Sequence, residues 1–387
     1  MFIPYKKNRG YKIPVIFEFG QQNTRVGYAG TDGPEVVLPS DLLMDSEGNM
    51  KFIEQNSTYQ PIGFDVKNIL QGGQIVDFDI WKEYVEHILN NVLYQERHFP
   101  FFFVENGNVK KETRNKIIEI LFEEIDVSSV FFHRNTMLAQ YIVGKDNVLV
   151  VDCGSSHTTI TPILDGNVIE KGILRGEIGG EYITNKLYEI WKQQGLAFSR
   201  FKNYSQLSPS LQLYGDLEIV REIKHQCVKL YDQPIENLKF NPTVDNQAYE
   251  LPDQTKLLIS EEMYKYPEFL FEPTEYFEGL DKALETSLEK IDSDYRKELV
   301  QNVILIGGAS CTVNMVERFQ RTINNLKIFG LSSRSKVQTP PKFFDRQHAS
   351  WLGASIVASS QIYDQWTLNK SDYDEHGSSL IEKKMFY

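Results

Sequence analysis

The sequence predicts an α/β fold in which helices cover strands on both faces, and three observations support this prediction. Strand-like and helix-like segments alternate along the 387 residues. Short apolar runs at 148–151 and 303–306 each end at or near a glycine, which is typical of strands buried on both faces. The segment around Gly20 is echoed 134 residues later around Gly154, which indicates two related units.

The elements of the first unit follow in order. Residues 15–19 form an apolar strand that ends at Gly20. Apolar side chains between 79 and 93 recur at helical spacing and form one stripe of an amphipathic helix. Residues 101–104 predict a buried strand, and a helix follows from about 111 to 125.

Composition excludes several classes of function. The chain has 41 basic and 53 acidic residues, a net charge of −12, which disfavours direct nucleic-acid binding. No apolar run approaches the length of a membrane-spanning helix, so we expect no membrane insertion. Three cysteines without paired spacing argue against a disulfide framework and a zinc site. The start of the chain has no apolar core of a secretory signal, which leaves the cytosol or the nucleus.

Each copy of the repeated segment consists of an apolar strand, an acidic residue, one further residue, a glycine, two polar residues and a second strand. Glu18-Phe19-Gly20 falls on Asp152-Cys153-Gly154, and Thr24 falls on Thr158. Acid-x-Gly turns are common, so two unrelated β-hairpins remain the alternative. If the hairpins are related, they could face each other across a cleft and hold a polyphosphate between them.

The second hairpin supplies the chemistry that such a ligand needs. Backbone N–H groups at Gly154, Ser155 and Ser156 could form an anion-binding nest. Asp152 at the strand end could position the water shell of a Mg²⁺ ion. His157 beside them is either a proton relay or, by strand alternation, a side chain that points to solvent or an outer pocket.

The first hairpin and a third glycine turn would complete the site. Glu18 and Gly20 are the counterparts of the second hairpin, and Arg25 could direct a cation toward the phosphates. Residues 307–310 follow a buried strand, so this turn could pack against a base or ribose.

Several segments in the same order resemble the actin family. They are residues 27–34 after the first turn, 152–166 at the second, the helical 221–224, 267–273 and 351–355. The resemblance covers nearly the whole chain. It implies an actin-like fold, with two similar lobes and four subdomains around a cleft that holds ATP or ADP with Mg²⁺.

The resemblance also implies domain boundaries. The outer lobe would consist of residues 1–142 with 347–387, and would carry a small insert at about 40–74. The inner lobe would be 143–346, with a larger insert at about 179–274.

Nucleotide contacts carry over position by position, with Mg²⁺ held by Asp152 through water. The implied contacts are Glu18, Gly20, Gln21, Gln22, Arg25, Asp152, Gly154, Ser155, Ser156, Gly180, Lys224, His225, Gly307, Gly308, Ala309 and Gln347.

Departures from the family pattern argue against fast hydrolysis. The family glutamine that positions the attacking water falls on Asn135, and the histidine of the water relay falls on Thr159. Asparagine is one methylene shorter, and threonine accepts no proton near neutral pH. Arg25 replaces a lysine, and Gln22 replaces the last glycine of the first loop. We therefore expect nucleotide binding without catalytic residues, and no enzyme activity.

Among the classes of the family, the chain is most similar to the pointed-end actin-related proteins of dynactin. The extension at 1–12 and the segment 296–310 carry this similarity. Residues 42–71 are polar and predicted to be strand-poor, with 45–49 in place of the apolar plug that extends an actin filament. We expect a cytoplasmic filament-capping subunit that contacts other actin-like and pointed-end subunits and does not polymerise with itself.

Two alternatives follow from the same residues. A nuclear actin-related subunit of a chromatin-remodelling complex, bound to a helix of the remodeller ATPase, would also have degenerate loops. Sugar kinases and chaperone ATPases share the two-hairpin design, but a kinase needs a further carboxylate and a chaperone a further domain.

Overall fold

The computed structural model describes residues 12–54, 57–107, 109–231, 233, 235, 239, 246–326, 336–339, 345–360 and 363–378. Two larger sheets and three small ones lie within these residues, with helices between their strands. This architecture confirms the α/β prediction. The extension at 1–12 and the end of the chain after 378 fall almost entirely outside the described residues.

The outer sheet contains six strands. They are β1 (Val15–Phe19), β2 (Asn23–Tyr28), β3 (Val36–Pro39), β9 (Pro100–Glu105), β10 (Ser129–Arg134) and β18 (Leu368–Asn369). Their order in the sheet is β18-β10-β9-β1-β2-β3. β1 and β2 form an antiparallel hairpin, and β9 runs parallel to both β1 and β10.

The central strand of this sheet is buried on both faces. Phe101 and Phe103 of β9 pack with Trp81 on one face, and Phe102 packs with Trp351 in a separate core on the other. Side chains alternate between the faces of a strand, so an unbroken apolar run is needed where helices cover both. The predicted run at 101–104 has this role.

The inner sheet repeats the arrangement. β11 and β12 form the hairpin, β17 lies parallel to β11, and two short strands extend the other edge. The strands are β11 (Val148–Cys153), β12 (Thr158–Leu164), β13 (Asn167–Val168), β14 (Leu174–Gly176) and β17 (Val303–Ile306).

The two hairpins have equivalent turns. Gly20 N donates to Asn23 O over 3.1 Å, and Gly154 N donates to His157 O over 2.9 Å. The strand register also repeats, since Glu18 lies beside β9 as Asp152 lies beside β17. The echo in the sequence therefore marks two units of the same local structure.

The region predicted to be strand-poor contains a three-stranded antiparallel sheet, so that prediction was wrong. This small sheet exposes polar side chains on one face, which made its strands resemble a loop in the sequence. Its strands are β4 (Asp41–Asp45), β5 (Met50–Phe52) and β6 (Phe64–Asn68), followed by the two-stranded hairpin β7 (Leu70–Gln71) and β8 (Gln74–Ile75). A further pair, β15 (Gln247–Glu250) and β16 (Lys256–Ile259), lies within residues 179–274, where the second insert is predicted.

The helices cover the sheets and connect them. They are α1 (Phe78–His87), α2 (Lys111–Glu123), α3 (Asn135–Val143), α4 (Gly180–Gln193), α5 (Pro209–Cys227), α6 (Glu262–Lys265), α7 (Leu280–Glu289), α8 (Ser293–Gln301), α9 (Met315–Asn325), α10 (Ala349–Ala358), α11 (Tyr363–Trp366) and α12 (Lys370–His376). The predicted helix at 79–93 is α1 continued by one π-helical turn, Ile88–Val92. In the described part of the chain, no helix is long and apolar enough to span a membrane.

Two of these helices pack where the chain passes between the sheets. α3 connects β10 to β11, and α10 lies against it. A Cβ atom added at Gly353 of α10 would lie 2.0 Å from Leu138 O of α3, so only glycine allows this approach.

Candidate functional site

The turns of the two hairpins line one cavity of about 300 Å³ between the sheets. All sixteen predicted nucleotide contacts line it, as does Asn135. Parallel strands of each sheet place their carboxyl ends at this cleft, which is where ligands bind in many α/β proteins. That these residues bind a nucleotide stays a prediction.

The floor of the cleft consists of Glu18, Arg25, Asn135 and Asp152. The carboxylates of Glu18 and Asp152 determine its electrostatics. Burial and, to a smaller extent, the Glu18 carboxylate raise the pKa of Asp152 to about 6, although Arg25 opposes both effects. Burial likewise raises the pKa of Glu18, against the effect of Arg25. Two carboxylates that share a buried site repel each other, so the floor favours a bound cation.

The hydrogen bonds of the floor leave room for that cation. Asn135 Nδ2 donates to Asp152 Oδ2 over 2.9 Å, and Arg25 NH1 lies 3.7 Å from Glu18 Oε1. Glu18 Oε2 is buried and has no hydrogen-bond partner in the described part of the chain. Mg²⁺ is commonly held by one or two carboxylates together with water and substrate phosphates, so these acids fit it.

The first residues of helix α4 are hydrogen-bonded to the second turn, and Lys224 of α5 is hydrogen-bonded to the same end of α4. Gly180 N donates to Gly154 O over 3.0 Å, and Glu181 N donates to Ser155 O over 2.8 Å. Lys224 Nζ donates to Gly180 O over 2.9 Å and to Thr184 Oγ1 over 2.8 Å. Burial lowers the Lys224 pKa to about 7, since desolvation disfavours the ammonium.

Apolar side chains that could contact a flat ring also line the cavity. Ile183, Val228 and Val313 line it together with the turn at Gly307 and Gly308. Gly307 has φ +90°, and a Cβ atom there would lie 2.4 Å from Asp152 Oδ1. Glycine at this position therefore permits both the turn and its close contact with the floor.

The two positions predicted for the attacking water share a smaller cavity of about 20 Å³. Asn135 and Thr159 both line it, and Asn135 also lines the main cavity. The smaller cavity accommodates about one water molecule. His157 lines both cavities. Its Nδ1 lies 2.9 Å from Ser156 Oγ, and burial lowers its pKa to about 4.

The small sheet also contacts residues 199–214, and this contact is called the mouth because Tyr214 lines a neighbouring cavity that shares Gln21 and Ser155 with the main one. Asn203 exchanges two hydrogen bonds with the backbone of Gln60, of 3.2 and 2.8 Å. Ser208 Oγ donates to Phe64 O over 2.6 Å. Seven buried apolar side chains fill the contact: Leu43, Ile53, Phe64, Phe201, Leu207, Leu211 and Tyr214.

Sequence reasoning missed several residues of the main cavity. Asn23, the fourth residue of the first turn, lines it and falls on His157 at the repeat offset of 134, so the repeat could have located it. No signal in the sequence marks the others, because they come from distant segments. These are Gly73, Asn106, Ile183, Val228, Cys311, Thr312, Val313, Asp345, Arg346 and Ser350.

Comparison with known proteins places this architecture in a family. The family model described as Actin matches residues 11–386, which is nearly the entire chain. The chain belongs to the actin family. The actin fold binds nucleotide.

Relatives of this actin-family chain include plant proteins. It is 26% identical to "Actin-related protein 4" of Arabidopsis thaliana, over 96% of the chain and 98% of that protein. It is 24% identical to proteins of the same description in Oryza sativa subsp. indica and subsp. japonica, over the same shares.

These relatives correct one expectation. The assignment to the dynactin pointed-end class was wrong, because the matching relatives are described as Actin-related protein 4. That assignment depended partly on departures of the phosphate loops from the actin pattern, and such departures are not specific to dynactin. The tip of the small sheet, residues 45–49, is polar, which indicates only that the apolar plug of an actin filament is absent there. The cytoplasmic filament-capping role depended on that assignment and is lost with it.

Proposed function

We propose that this actin-family chain is a structural subunit of a nuclear chromatin-remodelling complex, and that it holds ATP or ADP with Mg²⁺ and hydrolyses it little. The observation that carries the proposal is the similarity to Actin-related protein 4 over 96% of the chain, combined with a cavity lined by every predicted nucleotide contact.

The floor supports the cofactor part of the proposal. Asp152 and Glu18 would hold Mg²⁺, which neutralises phosphate charge when bound. Arg25 adds a fixed cation, and the N–H groups of the turn at Ser155 and Ser156 are candidate donors to phosphate oxygens. A bound nucleotide would stabilise the folded chain by mass action.

Slow hydrolysis follows from the positions near Asp152. The Asn135 amide already donates to Asp152, so it is engaged away from an attacking water. Thr159 lines the smaller cavity and cannot act as a base near neutral pH. A displacement of about 1 Å in the attacking group can reduce a rate on the order of a hundredfold.

The tip of the small sheet supports a role without self-polymerisation. The Asp45 carboxylate accepts hydrogen bonds from the backbone of Glu47 and Asn49, each of 2.9 Å, and closes the turn. The tip presents exposed polar side chains, whereas an actin filament contact needs an apolar plug. We therefore expect heterologous partners, among them a helix of the remodeller ATPase, rather than copies of the chain. Direct nucleic-acid contact is disfavoured by the charge of −12.

Affinity capture of the tagged full-length chain from nuclear and cytoplasmic fractions, followed by mass spectrometry, tests the assembly. We expect a remodeller ATPase and its partners to co-purify from the nuclear fraction. Recovery of dynactin subunits, or a chain found solely in the cytoplasm, would contradict the proposal. The same capture with Asp152→Asn shows whether the assembly depends on an occupied cleft.

A further inference from the structure

One short segment of the chain, residues 345–348, contacts both the glycine turn at 307–311 and the floor of the cleft. Its beginning contacts the turn: Gly307 N donates to Arg346 O over 3.3 Å, and Cys311 Sγ donates to Asp345 Oδ1 over 3.4 Å. Its last residue, His348, contacts Arg25 of the floor, which is the predicted phosphate end of the cavity. The segment then continues directly into α10.

His348 makes a specific contact with the cation of the floor. Arg25 Nε donates to His348 Nδ1 over 2.9 Å, although the two residues are 323 positions apart. Burial and the Arg25 charge lower the pKa of His348 to about 4, so the ring is neutral near pH 7 and can accept this bond.

The contact fixes the direction of the guanidinium group. Arg25 donates through Nε to His348, and its NH1 lies 3.7 Å from Glu18 Oε1. Because the guanidinium is planar and rigid, fixing Nε sets the direction of the remaining N–H groups. A freely rotating arginine would lose side-chain entropy on binding a phosphate, and this one is already ordered.

We propose that His348 is a positioning residue for phosphate binding, and that its Nδ1 holds the Arg25 guanidinium toward the phosphate end of the cavity. The inference rests on the proposed nucleotide binding and deepens it. It also implies that the loop 307–311 and Arg25 are coupled, since residues 345–348 contact both.

The experiment compares ATP with adenosine, which lacks the phosphates. Binding of Mg-ATP and of adenosine to the full-length chain would be measured by calorimetry. For His348→Ala we expect about tenfold weaker ATP binding, the effect of one lost hydrogen bond to a charged group, with adenosine binding unchanged. His348→Asn should restore ATP binding to within about twofold, because its Oδ1 can take the place of Nδ1.

A purely structural role for His348 predicts a different pattern. It would weaken ATP and adenosine binding in the same proportion, and that result would overturn the inference, as would unchanged ATP binding in His348→Ala. A further check is the double variant with Arg25→Ala, which should bind ATP no more weakly than Arg25→Ala alone. Full additivity of the two losses would also overturn the inference.

Two further outcomes are informative. If His348→Ala does not fold, His348→Gln replaces it, since glutamine places its acceptor farther from the backbone than asparagine. Weak ATP binding by the glutamine variant and strong binding by the asparagine variant support the inference, and equal binding overturns it.

A wild-type chain that binds adenosine and ATP equally overturns this inference alone, whereas one that binds neither overturns the proposed function as well.

Discussion

Glu18 and Asp152 face each other across the floor of the cleft with raised pKa values, whereas the mouth is filled by seven buried apolar side chains. Buried carboxylates destabilise an empty site, because desolvation and mutual repulsion disfavour their ionised forms. Apolar burial stabilises the mouth whether or not a ligand is present. We therefore expect the floor to bind a cation and the mouth to limit how readily the ligand leaves.

The largest effect is expected at the mouth. Leu211 of α5 is fully buried in the apolar cluster that α5 shares with the small sheet, so Leu211→Ala should lower the free energy of unfolding by about 2–5 kcal/mol, the usual cost of such a cavity. It should also speed the release of a fluorescent ATP analogue, measured by displacement with excess ATP.

The matched control is Leu213→Ala, two residues later in the same helix and 43% exposed. It should change unfolding and release little. If Leu211→Ala releases nucleotide as slowly as the wild type, the mouth does not control exit.

The next largest effect is expected at the floor. Asp152→Asn removes one buried charge and should weaken Mg-nucleotide binding on the order of a hundredfold, equivalent to about 2.7 kcal/mol. The thermal shift on adding Mg-ATP would then nearly disappear, although the empty variant should melt no lower than the empty wild type.

Asp165→Asn is the control for this change, because Asp165 follows the same hairpin and is exposed. A full Mg-ATP shift in Asp152→Asn would show that this carboxylate does not hold the metal.

A gain of hydrolysis is expected to be smaller. Asn135→Gln with Thr159→His restores the residue types of the family pattern and should raise the rate of phosphate release about tenfold. Phosphate release at saturating Mg-ATP would be compared among the double variant, each single variant and the wild type. A double variant that stays at the wild-type rate would show that another feature of the cleft limits the reaction.

The smallest effect concerns pH. The pKa of Asp152 in the folded chain, about 6, lies above its ordinary value of 3.8. This group therefore stabilises the empty folded chain fully below pH 3.8, and that stabilisation is lost as the pH rises through 6. A bound metal favours the ionised carboxylate instead. The thermal shift produced by Mg-ATP should therefore be larger near pH 7.5 than near pH 5.5, and Asp152→Asn should reduce this difference. A shift independent of pH in the wild type would argue against a metal at Asp152.

Much of the floor could be predicted from the sequence because it lies on two local repeats. Glu18 and Asp152 each end an apolar strand before a glycine turn, and both turns formed as expected. The contact between Arg25 and His348 could not be predicted, since it joins residues 323 positions apart and neither residue type requires the other.

The mouth was missed for a different reason. The strands of the small sheet are short and carry polar side chains on their exposed face, so their sequence resembles a loop. Phe64 and Leu211 are apolar, but nothing local indicates that they pack against each other. Tertiary contacts between two inserts determine this part of the fold.

The most direct test of the central claim, that the chain retains a nucleotide without turning it over, measures both properties on one preparation. Protein purified without added nucleotide would be denatured, its adenine nucleotide quantified by chromatography, and phosphate release from the native sample followed for hours with Mg-ATP. We predict about one nucleotide per chain, as expected for a single main cavity, and little phosphate release. Steady multiple turnover by the wild type would contradict the claim. If that turnover were lost in His157→Ala, His157 would be the proton acceptor.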